Sequence, residues 1–246
     1  MAVVQKLICT VEKIVNHGER VYTLDLELER ALPRFHPGQF LHLALDDYDP
    51  SGFWPESRVF SIASSPIDRR NLRISYSVRG RFTARMEKEL HEGRRVWIKL
   101  PYGEFIIDGR SDVVLIAGGT GITAFTAFLD GLKPEFEHTV NLAYGARNRD
   151  LLIYRALLEQ RAKEIPQLKV LYFVEQDANS QYISAARAEK TEFVGRISLS
   201  VLWPKIRNAF EAIFYISGPP SMLQILSKDL RNAGVRAESI RIDAWE

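Results

Sequence analysis

Residues 113–125 read VVLIAGGTGITAF, and this stretch decides the fold of the second half of the chain. An apolar run bounded by turn residues predicts a fully buried strand. The run breaks at Gly118, Gly119, Thr120 and Gly121, passes Ile122, and resumes at Ala124, Phe125, Ala127, Phe128 and Leu129 with helical spacing. A strand that turns through glycines into a helix leaves outward-pointing backbone N–H groups, and glycine lets an anion approach the main chain. The same corner also serves tight packing alone, so the stretch by itself leaves nucleotide cradle and packing corner both open.

Downstream, strand and helix patterns alternate. Strands are expected at 139–146, 168–174, 212–217 and 239–242, with helices at 151–163 and 221–233 and a short one at 199–207 bounded or kinked by Pro204. Residues 175–194 are polar and irregular and read as a loop. Such alternation implies a parallel sheet with helices on both faces, whose ligands bind at the carboxyl ends of the strands. Gly118–Gly121, Tyr144–Arg147 and Ser217–Pro220 all fall at such ends. The usual dinucleotide fingerprint is met only in part, because the strand ending at Tyr144-Gly145-Ala146-Arg147 carries no acid for a ribose.

Upstream, residues 3–100 favour about six short strands. VYTLDLEL at 21–28 and LRISYSV at 72–78 alternate apolar and polar residues, and strands are also expected at 39–45, 58–62 and 94–100. Turn signals at His17-Gly18, Pro37-Gly38, 49–52 and Glu92-Gly93 separate them, which suggests a small antiparallel barrel interrupted by one helix at 82–90. Two features exceed what a barrel needs. Arg58-Val59-Phe60-Ser61 places Arg58 and Phe60 on one face and Ser61 on the other. Arg79-Gly80-Arg81-Phe82-Thr83 leads from a strand into the helix and supplies a helix start, a hydroxyl and two cations that suit a pyrophosphate. A surface arginine beside a core phenylalanine, and a capped helix with solvated arginines, are the plain alternatives.

Composition bounds the rest. The chain has 246 residues, 46% hydrophobic and 26% charged, and a formal charge of +2 from 33 basic and 31 acidic residues, which gives no sign of a nucleic-acid binder. A single cysteine, Cys9, excludes an internal disulfide, a four-cysteine zinc site and a cysteine-ligated iron–sulfur cluster. No run has the length of a membrane span and the N-terminus lacks a signal-peptide pattern, so a cytoplasmic protein with no metal site is expected.

Taken in order, these stretches resemble the ferredoxin–NADP⁺ reductase superfamily over nearly the whole chain. Arg58-Val59-Phe60-Ser61 is similar to its arginine-x-tyrosine-serine strand, and Gly80–Thr83 to its flavin-pyrophosphate turn. Gly118–Gly121 is similar to its glycine-glycine-threonine-glycine turn, and Ser217-Gly218-Pro219-Pro220-Ser221-Met222 to its cysteine-glycine-proline-proline corner. Pro37-Gly38-Gln39-Phe40 and Tyr144–Arg147 also have counterparts. The resemblance implies an FAD-binding antiparallel β-barrel over residues 1–104, followed by an α/β parallel-sheet NAD(P)-binding domain over 105–246. It implies that Arg58 pairs with flavin phosphate, Phe60 packs along the flavin, and Ser61 hydrogen-bonds near the reactive ring nitrogen. It implies that Ser77, Val78, Gly80, Arg81, Phe82 and Thr83 bind the flavin, with backbone groups around Gly80 and Thr83 on the pyrophosphate, that Gly118–Ile122 cradle the nicotinamide nucleotide, and that Ser217–Pro220 with Met222 bring the nicotinamide to the flavin, so that the hydride passes between Ser61 and Ser217. Trp245 either covers the flavin ring or packs on the barrel.

The implied activity is that of an FAD-dependent NAD(P)H oxidoreductase serving an external electron acceptor: a ferredoxin, a flavodoxin or an oxygenase component. An NAD(P)H:flavin reductase using diffusible flavin is the first alternative, and a non-catalytic electron-transfer subunit the second. Arg147 and Arg149 suit a 2′-phosphate, whereas Glu175, after the third strand of the sheet, suits the free ribose of NADH; the balance leans to NADH. Three positions depart from the family pattern. Phe60 lacks the hydroxyl of the usual tyrosine, so weaker flavin binding is expected. Ala124 stands where proline is common, with little consequence. Ser217 lacks the polarizable sulfur of the usual cysteine, so slower hydride transfer is expected. A Ser217→Cys variant should therefore reduce its flavin faster in anaerobic stopped flow, and an unchanged or lower rate overturns that expectation.

Overall fold

A computed structural model describes residues 3–176 and 191–243. They divide into two compact units, one of residues 3–108 with Thr123–Gly131, the other of Gly109–Ile122 with residues 132–243.

The first unit is an antiparallel sheet of six strands: β1 (Gln5–Asn16), β2 (Val21–Leu28), β3 (Phe40–Ala44), β4 (Ser57–Ser61), β5 (Asn71–Ser77) and β6 (Arg95–Tyr102). They are arranged β4-β3-β6-β1-β2-β5. Just past β4 the Ala63 N–H donates to the Arg73 carbonyl of β5, 2.9 Å, so the row curls into a nearly closed barrel. Period-two alternation fills it: Leu24 and Leu26 of β2, Leu41 and Leu43 of β3, and Ile98 and Leu100 of β6 are all fully buried. Cys9 is buried among them, and burial pushes its thiol far up, so it behaves as a core hydrophobe.

Helix α1 (Arg81–Glu89) closes the barrel with Phe82 and Met86, four residues apart and both buried. An Arg20–Glu87 ion pair at 2.5 Å ties its outer face to the β1–β2 turn. Gly38 is required by its surroundings: its φ is +93° and a Cβ there would stand 2.0 Å from the Phe105 carbonyl oxygen. Beside it, buried Gln39 accepts from the His36 N–H and donates to the Gly103 carbonyl. Helix α2 (Thr123–Gly131) belongs to this unit, with Phe125 against Phe105 and Ala127 in the barrel core.

The second unit is a parallel sheet of β7 (Val113–Gly118), β8 (Val140–Ala146), β9 (Leu168–Val174), β10 (Glu192–Val194), β11 (Ile213–Ser217) and β12 (Ile240–Asp243). The order is β10-β9-β8-β7-β11-β12. Leu171 and Phe173 of β9 lie on the face packed by α4 (Leu199–Leu202) and α5 (Pro220–Asn232), the latter through Met222, Leu226 and Leu230 at every fourth residue. Tyr172 points the other way, and Arg155 of α3 (Arg155–Glu164) stands 5.0 Å over its ring, so helices cover both faces.

The expected loop at 175–194 needs correction at its end. Residues 192–194 form β10, paired in parallel with Tyr172, Phe173 and Val174. Three residues are too few to show a period, and Phe193 stacking on Phe173 at 5.3 Å fixes the strand from outside the segment. The expected 199–207 helix is a single turn followed by a 3₁₀ turn at Trp203–Lys205, because Pro204 cannot continue the α pattern. Among the described residues no helix is long and apolar enough to cross a membrane, and no group of three or more His, Cys, Asp or Glu could hold a metal.

Phe82 is 2% exposed and anchors α1. Phe82→Ala should cost about 3–5 kcal/mol of barrel stability; urea unfolding that shows less than about 1 kcal/mol would remove this anchoring role.

Candidate functional site

On the barrel, β4 carries the first cluster. Leu41 pairs with Phe60 and Leu43 with Arg58 across to β3, so Arg58 and Phe60 share the face that meets the core, while Ser61 lies opposite Phe40 on the other. Phe60 is half-buried and sits edge-on to Tyr76, 6.1 Å between centroids. The Arg58 guanidinium lies 5.6 Å over the Phe82 ring, which keeps an exposed arginine beside the start of α1.

That helix start is built as a cap. Gly80, in extended conformation, is the N-cap residue, and its carbonyl accepts the Ala84 N–H. Thr83 Oγ1 accepts from the Arg79 and Gly80 N–H groups at 3.0 and 3.1 Å and donates to the Gly80 carbonyl. The capped-helix alternative is therefore realised, and it does not consume the whole site. Helix geometry leaves the amides of Arg81, Phe82 and Thr83 without intrahelical acceptors. A Cβ at Gly80 would meet nothing within 4 Å, so the space over the helix start is open to a phosphate group. The Phe82 side chain is buried, which leaves only its amide for a ligand, while Ser77 and Val78 are half-buried at the end of β5.

One residue that the sequence did not single out dominates the charges here. The Glu56 carboxylate lies 3.1 Å from Arg81 and 3.9 Å from Arg58, the two cations expected to take phosphate. Its position two residues ahead of Arg58 was the available signal.

In the second unit the strand ends converge as expected. Strands β7 to β10 run outward in one direction and β11 and β12 in the other, so the topological switch lies between β7 and β11. The 3₁₀ turn Gly119–Ile122 follows β7, and the Ser217–Pro220 corner follows β11. The two corners interlock. A Cβ on Gly121 would lie 2.4 Å from the Ser217 carbonyl oxygen; one on Gly118 would lie 2.7 Å from the Met222 sulfur, and one on Gly218 3.0 Å from the Gly118 nitrogen. Packing thus demands glycine at 118, 121 and 218. Gly119 differs: its φ is +55° and open space surrounds it, so it is the glycine that leaves main chain accessible beside Thr120. Ile122 is fully buried and is a core residue.

Ser217 is 4% exposed and donates from Oγ to Asp243 Oδ2 at 2.9 Å, across the β11–β12 pairing. Asp243 was not among the sequence-selected residues, although it is the first residue of the terminal Asp243-Ala244-Trp245-Glu246 run. Trp245 lies outside the described residues. At α5, Pro219 and Pro220 open the helix, where a missing N–H costs nothing.

Towards β8 and β9, Tyr144 is buried and donates its hydroxyl to the Leu151 carbonyl, and burial pushes its phenol well up. Exposed Arg147 and Glu175 are neighbours, because the Gln176 N–H donates to the Arg147 carbonyl. Glu175 accepts from Arg196 at 3.3 Å. Arg149 is held by Glu192 of the new strand at 2.6 Å, and Arg155 shares that carboxylate at 3.0 Å. Of the two arginines considered for a 2′-phosphate, Arg149 is thus committed to the sheet edge. A groove of about 860 Å³ beside α4 and α5 is lined by Arg196, Ile197, Trp203 and Phe210 among others, and none of the sequence-selected residues faces it.

Comparison with known proteins meets this geometry from outside. Residues 115–228 match the protein-family model described as the oxidoreductase NAD-binding domain. The chain is 26% identical over 217 residues to the reductase component 1 of terephthalate 1,2-dioxygenase from a Comamonas species, covering 86% of this chain and 60% of that protein. It is 32% identical over 163 residues to the reductase component DmpP of phenol 2-monooxygenase from Pseudomonas sp. strain CF600, covering 63% of this chain and 44% of that protein. The chain thus spans about half the length of these relatives. The flavohaem-like FAD/NAD binding domain of nitric oxide dioxygenase from Vibrio cholerae O1 biovar El Tor has the same fold, with a TM-score of 0.79 at 19% identity, covering 96% of this chain and 97% of that one. Residues 115–228 thus match an oxidoreductase NAD-binding domain, and over most of its length the chain is similar to the reductase components of oxygenase systems.

Proposed function

We propose that the chain is an FAD-dependent NAD(P)H reductase that takes hydride from a nicotinamide nucleotide and passes electrons to a separate acceptor. The observation that carries this reading is the presence in one chain of two phosphate-type cradles of different design. One is the α1 start with Gly80, Arg58 and Arg81; the other is the glycine turn with Gly119 at the β7–β11 switch. We assign the flavin to residues 1–104 and the nicotinamide nucleotide to 105–246.

A bound flavin supplies the redox chemistry, accepting a hydride and releasing electrons singly. The chain's own residues bind and orient. Phe60 offers a flat apolar surface, Arg58 and Arg81 offer charge to phosphate, and the amides at the α1 start offer hydrogen bonds. Ser61 would offer a small polar group to the flavin and Ser217 one to the nicotinamide, and Asp243 holds the Ser217 hydroxyl in one orientation. The relatives are named as reductase components of oxygenase systems, which favours an oxygenase component as the acceptor.

Glu175 supports NADH. A carboxylate accepts both hydroxyls of an unmodified ribose and repels a 2′-phosphate, and Arg149 is engaged by Glu192. A second reading, flavin as a diffusing substrate, is favoured by the exposure of Arg58 and Arg81, whose side chains are 56% and 82% accessible.

Gel filtration after incubation with FAD, followed by anaerobic NADH, tests the reading. The expected result is a yellow protein that bleaches; a colourless protein that turns over added flavin selects the second reading, and no response to either nucleotide leaves only a non-catalytic subunit. For the nucleotide, Glu175→Ser should raise kcat/KM for NADPH relative to NADH by about tenfold. An unchanged ratio would show that Glu175 does not set the preference.

A further inference from the structure

We propose that Glu56 is a built-in rival of the flavin phosphate: its carboxylate holds the arginines that the phosphate needs, which makes phosphorylated flavins exchangeable ligands of this chain. The inference rests on the assignment of the flavin to the start of α1.

The arginines around α1 are held in ion pairs. Arg85 is engaged twice, by Asp46 at 2.8 and 3.2 Å and by its helical neighbour Glu89 at 2.9 and 3.3 Å. Those contacts hold the Asp46 and Glu89 carboxyls below the usual carboxylate range, so both remain ionised at neutral pH. Glu56 reaches Arg85 only at 3.9 Å. Its close partner is Arg81 at 3.1 Å, with Arg58 at 3.9 Å on the same oxygen. Arg58, Arg81 and Arg85 are thus each paired with a carboxylate among Asp46, Glu56 and Glu89, so an incoming anion meets arginines that already have partners.

A phosphate seated on the amides of Arg81, Phe82 and Thr83 must take Arg58 and Arg81 from Glu56. Once it does, Glu56 has no replacement, because Arg85 is committed to two better-placed carboxylates. Nor can its backbone retreat: Trp54 Nε1 donates to Ser57 Oγ at 3.0 Å, closing the turn that carries Glu56, and β4 begins at Ser57. The carboxylate therefore stays within a few bond lengths of the phosphate with the same sign of charge. Its side chain is 33% accessible, so water and salt weaken the repulsion without abolishing it.

If Glu56 merely scaffolds the arginines, removing its charge loosens them and weakens phosphate binding. If it is a rival, removing its charge strengthens binding. The two roles predict opposite signs.

The test titrates the full chain, and its Glu56→Gln and Glu56→Ala variants, with FAD, FMN and riboflavin, reading flavin fluorescence at low and high salt. Thermal melts accompany each variant. The rival role predicts that FAD and FMN bind both variants about five- to tenfold more tightly at low salt. It also predicts that this gain shrinks towards unity at about 0.5 M salt, and that riboflavin, which has no phosphate, binds all three proteins alike. Equal or weaker FAD and FMN binding in the variants overturns the proposal, and so does an equal gain for riboflavin. Wild-type protein that binds none of the three flavins overturns the flavin-site assignment itself, which separates that failure from a failure of the Glu56 role.

Discussion

The sheet of the second unit depends on one close approach, that of the Gly121 main chain to the carbonyl of Ser217. A methyl group at 121 would stand 2.4 Å from that oxygen, closer than any relaxed contact allows. This approach lets the corner after β7 nest into the corner after β11, and that nesting puts both turns at the point where the strand order reverses. Parallel strands place all their carboxyl ends on one edge, and the reversal opens a crevice there because consecutive connections leave in opposite directions. Three glycines in this region exist to permit the nesting, and one, Gly119, exists to leave main chain open. A sequence pattern of four small residues thus contains two separate physical requirements.

The barrel solves a different problem, that of holding cations near a helix start without leaving them unbalanced. Thr83 caps α1 by taking the Arg79 and Gly80 amides, which leaves the next three for another acceptor. The arginines on either side are balanced by carboxylates from three places: Asp46, Glu56 and Glu89. Pairing of this kind favours the free protein, since unpaired like charges at one helix end repel each other. It also means that any ligand entering must exchange ion pairs and not simply add one. Affinity at such a site is a difference between two sets of contacts.

The fold was legible in the chain because its elements are long or strongly periodic. Leu24 and Leu26, or Phe82 and Met86, announce their element by spacing alone. Both glycine corners were also legible, since few other needs place that residue type after an apolar strand. What escaped the reading has a common cause: β10, Glu56, Arg149 and Asp243 owe their roles to partners distant in sequence. Phe193 is a strand residue because Phe173 is beside it, and Arg149 is unavailable to a 2′-phosphate because Glu192 reaches it from 43 positions away. Charges on a surface have no period, so their pairing is a tertiary fact.

Ser217 shows how such a fact revises a sequence reading. Set against the pattern of the resembled family, serine at this position is a loss, because it lacks the polarizable sulfur of a cysteine. In the fold the same hydroxyl is the donor to Asp243, a carboxylate only 8% exposed at the end of β12. A buried acceptor left without its donor costs about 1–3 kcal/mol, more when it is charged, and a thiol is a weak donor. Serine at 217 and aspartate at 243 are therefore one choice made across two strands. The departure from the family cysteine is the hydrogen-bonding half of a pair whose other half is a buried acid at the end of β12. That pairing fixes the hydroxyl's direction: its proton points at Asp243, which leaves its lone pairs, and not its proton, for whatever binds at the corner.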